Sequence, residues 1–88
     1  MNIIKREILE HICYTEFVYE RINKKLNIKL SKPQIEDFIF KTLKETDEIF
    51  FEKIGKNFYV INTEVNIRIT INSNTFRVIT VDKINSKI

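Results

Sequence analysis

Four residues in the C-terminal half, Glu52, Tyr59, Arg68 and Arg77, are of the types needed to hold and cleave a phosphodiester. Arginine presents a planar fork of donors that matches phosphate oxygens. Tyrosine stacks on an unpaired base, and a carboxylate takes the proton of a ribose 2′-hydroxyl as general base. The same types suit a second role, because Tyr and Arg are enriched at the hot spots of protein interfaces. They also suit a third, as cross-strand pairs on a solvated sheet, each worth about 0.2–1 kcal/mol. Which role applies depends on whether the backbone brings the four together.

The elements that would do so are strands. Residues 57–81 alternate apolar and polar side chains, interrupted by polar pauses at Thr63-Glu64 and Ser73-Asn74. Two-residue loops at both pauses place Val60 opposite Ile67, Phe58 opposite Ile69, Ile69 opposite Val78 and Ile71 opposite Phe76, all on one face. With Phe51 they predict a core-facing side. The other side carries Tyr59, Ile61, Arg68, Thr70, Arg77 and Ile79. A tight turn at Gly55-Lys56 sets Glu52 opposite Tyr59. The same register sets Tyr59 opposite Arg68 and Thr70 opposite Arg77, so a connected polar row is expected on that second face. The predicted strands are 49–54, 57–62, 65–72 and 75–82, a four-stranded antiparallel meander.

The N-terminal half has helical period. Ile4, Ile8 and Ile12 predict an amphipathic helix over 3–12, and Tyr14, Val18, Ile22 and Leu26 form a second stripe out of phase with it. A break at 13–15 is expected, with Thr15 as the new cap, although one kinked helix fits the same residues. Ser31-Lys32-Pro33-Gln34 matches a capping box and opens a helix that buries Ile35, Phe38, Ile39, Thr42 and Leu43. Asp37 and Lys41 suit an i,i+4 pair worth about 0.3 kcal/mol, and Phe40 falls off the buried stripe. Helices first and strands afterwards predict an α+β domain over residues 1–84, with two or three N-terminal helices packed on one face of the meander. Residues 85–88 are expected to fray.

Several chemistries are poorly supplied. The chain of 88 residues holds one His, one Cys, one Gly and one Pro. That excludes an internal disulfide, a glycine-rich phosphate loop and a conventional zinc site, and no cofactor is expected. His11, four residues after Glu7, is expected to pack at the edge of the first stripe, and Cys13 to be a small buried hydrophobe. A lone cysteine fits a reducing cytoplasm. No apolar stretch approaches the ~20 residues needed to span a bilayer, so no membrane partner is expected. A net charge of +3 is compatible with RNA, DNA or an acidic protein partner.

The strings Thr15-Glu16-Phe17-Val18-Tyr19-Glu20-Arg21-Ile22, Gly55-Lys56-Asn57-Phe58-Tyr59 and Ile69-Thr70-Ile71-Asn72-Ser73-Asn74-Thr75, with Val78-Ile79-Thr80-Val81, resemble a small bacterial family of domains of unknown function. The resemblance runs over residues 8–84. It implies one complete domain from a bacterium or mobile element, and it brings no catalytic residues. The layout alone, an Arg-Tyr-Glu group on an open sheet backed by helices, resembles RelE-like and barnase-like ribonuclease toxins. The expected function is a non-enzymatic interaction module that uses the second sheet face to bind a protein partner or a second copy. The alternative is an RNA-binding or metal-independent RNA-cleaving protein, of a toxin–antitoxin or phage element, built on Glu52, Tyr59, Arg68, Thr70 and Arg77.

Overall fold

The structure, a computed structural model, describes residues 3–84. The expected frayed end lies outside the described residues. Three helices precede a four-stranded antiparallel sheet of order β1-β2-β3-β4, the predicted α+β meander.

Helix α1 (Ile3–His11) buries Ile8 and packs Ile4, Leu9 and Ile12 against the core. It stops because residue 13 is needed as a strand. Cys13 bridges Arg77 in parallel: its N–H donates to the Phe76 carbonyl and its carbonyl accepts from the Val78 N–H, each at 2.9 Å. This overturns the buried cysteine expected from sequence. Cys13 is exposed, and its Sγ donates to the Thr75 carbonyl at 3.4 Å.

Helix α2 (Val18–Leu26) starts after a turn in which the Val18 N–H meets the Thr15 carbonyl. Thr15 is therefore not its cap; Phe17 holds that position without a side-chain bond. The break between helices is real, and α2 buries Val18, Ile22 and Leu26 beside β4. Helix α3 (Lys32–Glu45) begins as predicted. Ser31 Oγ accepts from the Gln34 N–H at 3.3 Å, and Gln34 Oε1 accepts from the Ser31 N–H at 2.9 Å. At its other end Lys5 Nζ donates to the carbonyls of Lys44 and Thr46, where the helix leaves acceptors unpaired. Asp37 and Lys41 make no ion pair; both are exposed, where such a pair gains little over water. Phe40 stays 41% exposed.

A short 3₁₀ turn (Glu48–Phe50) replaces the first two residues of the predicted first strand, because Asp47 Oδ1 accepts from the Ile49 N–H and bends the chain. Strands β1 (Phe51–Ile54), β2 (Asn57–Asn62), β3 (Ile67–Asn72) and β4 (Val78–Lys83) follow. The first turn is the predicted two-residue one, with Gly55 at φ 61 and Ile54 opposite Asn57. The other two are longer. Asn62 Oδ1 accepts from the N–H groups of Glu64 and Val65, and Asn72 Oδ1 accepts from those of Asn74 and Thr75. Each asparagine thus folds the backbone into a side-chain-headed turn before the next strand can begin.

The register consequently moves by two between β2 and β3: Val60 faces Ile69 and Phe58 faces Ile71. A shift of two keeps each residue on its own side, so the predicted faces survive although the predicted partners do not. Between β3 and β4 a bulge separates Ile71 opposite Val78 from Thr70 opposite Thr80, leaving Ile79 as the extra residue. It carries both Val78 and Val81 into the core. Phe76 is not strand at all. It sits at φ 60, its ring 5.3 Å from His11 and 5.9 Å from Phe58.

One cluster joins Ile8, Ile22, Ile35, Ile39 and Leu43 of the helices to Phe58, Val60, Ile69, Ile71 and Val81 of the sheet. Beneath it runs a buried polar chain: Asn62 Nδ2 donates to Thr46 Oγ1, which donates to the Thr42 carbonyl. On the opposite face Thr70 is buried and Asp82 meets Lys25 of α2, while Ile54 and Ile61 stay exposed.

Candidate functional site

The helix-free face is where the sequence places the functional row, and the structure assembles part of it. Glu52 lies opposite Tyr59, as expected. Tyr59 lies opposite Thr70 and not Arg68, which stands opposite Ile61. Arg68 reaches back diagonally, its guanidinium 5.9 Å from the Tyr59 ring centroid, a cation–π distance. Its charge is also met by Asp82 at 3.8 Å, and Asp82 is held in turn by Lys25 of α2 at 2.8 Å. Asn57 Nδ2 donates to the Tyr59 hydroxyl at 3.3 Å. Glu52 is exposed and forms no ion pair among the described residues.

Arg77 does not join them. The longer β3–β4 connection places it before β4, opposite Cys13 and beside α2. Thr70, expected opposite Arg77, faces Thr80 instead; Thr70 is buried, and the enclosed Thr80 Oγ1 has no hydrogen-bond partner among the described residues. The predicted four-residue row is thus a group of three, Glu52, Tyr59 and Arg68, with Arg77 on a different surface. Thr70 serves as floor and not as a ligand-facing hydroxyl.

What the polar residues surround is apolar. Phe50 is 41% exposed, Ile61 38%, Ile54 57% and Ile49 79%. Ile49, Phe50 and Ile61 line a shallow cleft of about 270 Å³ with Glu52 and Tyr59. Sequence reading places Ile61 on this face and leaves Phe50 unassigned, although alternation over 49–54 sets Phe50 on the same side as Glu52. The Phe50-Phe51 doublet is the available signal: adjacent side chains of a strand cannot both enter one core.

No group of His, Cys, Asp and Glu among the described residues is arranged to hold a metal ion. No helix among them is long and apolar enough to cross a membrane. No curated protein and no solved structure matches the chain. A family model described as "Protein of unknown function (DUF3781)" matches residues 6–82, and the chain belongs to that family.

Proposed function

We propose that the protein is a non-enzymatic interaction module that pairs with a second copy of itself, face to face, through the helix-free side of the sheet. The observation that carries this is the cluster of exposed Ile49, Phe50, Ile54 and Ile61 around Tyr59, bordered by Glu52 on one side and Arg68 on the other. Apolar side chains grouped inside a polar border are the composition of an interface core and rim.

Charge favours a second copy as the occupant. A two-fold axis running along β2 lays β1 of each molecule over β3 of the other. The otherwise unpaired Glu52 then approaches the Arg68 side of its counterpart twice, once at each end of an isologous contact. Pairing by the free edge of β1 is disfavoured by comparison. Opposed residues in an antiparallel pair share a face, so a symmetric β1–β1 contact centred on that strand sets Glu52 against Glu52 or Lys53 against Lys53.

Size sets the strength. One four-residue strand and three of six residues, side by side, give a face of at most roughly 20 by 15 Å. That is below the ~800 Å² each partner contributes to a standard stable interface. The dimer is accordingly weak and concentration-dependent. Dilution followed by amide NMR is expected to move the signals of Phe50, Tyr59, Ile61 and Arg68 together while those of α3 stay still. Spectra that do not change with concentration would remove this reading.

A further inference from the structure

The helix-free face leaves a second polar feature unused. Between the start of α2 and the β3–β4 connection lies a cleft of about 330 Å³, bordered by Thr15, Phe17, Arg21, Thr75, Arg77 and Ile79. Two guanidinium groups border it, and neither makes an ion pair or a side-chain hydrogen bond among the described residues. The other two arginines of the chain are both paired. Arg68 and Lys25 share Asp82, Lys32 meets Glu16 at 3.1 Å, and Arg6 meets Glu10 at 3.7 Å.

Two unneutralised arginines on the border of one cleft repel each other, which an anion between them reverses. The cleft is also held in shape. The Asn72 side chain and the Cys13–Arg77 bridge fix the backbone on the sheet side, and buried Val18 and Ile22 anchor α2 on the other. Thr15 and Thr75 add hydroxyls at its border.

The chemistry of the surroundings selects the kind of anion. Phe17 is 79% exposed at the lip, one helical turn before Arg21, and Lys24 follows on the same flank of α2. A neighbouring hollow is bordered by Phe17, Glu20, Arg21, Lys24 and Lys25. An aromatic ring in water beside a short line of cations is the arrangement that takes a base on the ring and successive phosphates on the cations. Glu20 is the one acid on that line, and Lys25 is already held by Asp82.

We infer that this cleft binds single-stranded nucleic acid, with Arg21 and Arg77 on one phosphate, Lys24 on the next and Phe17 stacked on the base between them. The site is separate from the self-association face and stands or falls independently of it.

The test is fluorescence anisotropy with a short fluorescein-labelled oligouridylate, and the deoxythymidylate of equal length beside it. Binding is expected at low salt. Its logarithm should fall against the logarithm of salt with a slope of about −1.4, for two phosphates on a single strand. The double variant Arg21→Gln/Arg77→Gln should bind at least about tenfold more weakly and lose roughly 0.7 of that slope. Phe17→Ala should lower affinity about tenfold with the slope kept. Both arginines are exposed, so the fold should persist, as circular dichroism would verify. Arg68→Gln, on the other face, should bind as wild type does. Absence of binding at low salt overturns the inference, as does a double variant that binds normally. Displacement by polyglutamate as easily as by unlabelled oligonucleotide overturns the assignment to nucleic acid.

Discussion

The two faces of the sheet are built from the same alternating strands and end in opposite conditions. On one, Phe58, Val60, Ile69, Ile71, Val78 and Val81 are almost fully removed from water by three helices. On the other, Ile54, Ile61 and Phe50 remain substantially in it, although they are equally apolar. The difference is not one of side-chain hydrophobicity. It follows from where the helices are obliged to go: their buried stripes are satisfied by one face, and at the β1–β2 end of the second Phe50, Ile54 and Ile61 stay exposed. An apolar residue on the first face holds the fold together, and one on the second is free to hold something else.

The largest effect separating the faces should come from Ile69→Ala. Ile69 is fully enclosed at the centre of β3, and its truncation is expected to cost about 3–4 kcal/mol in urea unfolding. The corresponding change on the open side, Ile61→Ala, should cost under about 1 kcal/mol in dilute solution. Equal losses would mean that the faces are not distinct.

Next comes the polar chain under the core. Asn62→Ala removes the donor to Thr46 Oγ1 and both acceptor bonds that shape residues 63–66. About 2 kcal/mol should be lost, with the β2–β3 register loosened in hydrogen exchange.

Smaller still is the alkaline limb of stability. Partial burial first, and then the hydrogen bond to Glu36, push the Tyr19 phenol up to about 12, and burial raises Tyr14 further. A folded state with raised tyrosines keeps protons that the unfolded chain releases above pH ~10. Stability should therefore be complete below that point and fall as pH rises through about 12. Glu36→Gln should flatten this fall, with a change at neutral pH below about 1 kcal/mol. A melting temperature constant across that range would contradict the assignment. Neither tyrosine lies on the open face, so self-association should survive Glu36→Gln.

How far the sequence reached follows from the range of each signal. The capping box at Ser31 and Gln34 was legible because both partners lie within one turn. The identity of the two sheet faces was legible because a period of two is unchanged by a register shift of two. The partners themselves were hidden in Asn62 and Asn72, whose side chains capture later backbone N–H groups and lengthen each loop; nothing in apolar alternation reports that. The bulge at Ile79 is equally silent, except that Val78 and Val81 are an odd number of residues apart. Arg77 is displaced by the same loop chemistry: the lengthened connection sets its carbonyl to accept from the Asn72 N–H, with Cys13 pairing on the outer edge. The site was thus readable where it depends on alternation, at Glu52, Tyr59 and Ile61. It was unreadable where it depends on loop chemistry, at Arg77.

Sedimentation velocity on the wild type and on Ile61→Asp, from low micromolar to submillimolar protein, tests the role of the open face most directly. The account predicts that the wild type moves from monomer towards dimer as concentration rises. It also predicts that the folded variant, with a carboxylate in the middle of the patch, remains a monomer throughout. A wild type that stays monomeric over the whole range, or a variant that associates as well as the wild type, would contradict it.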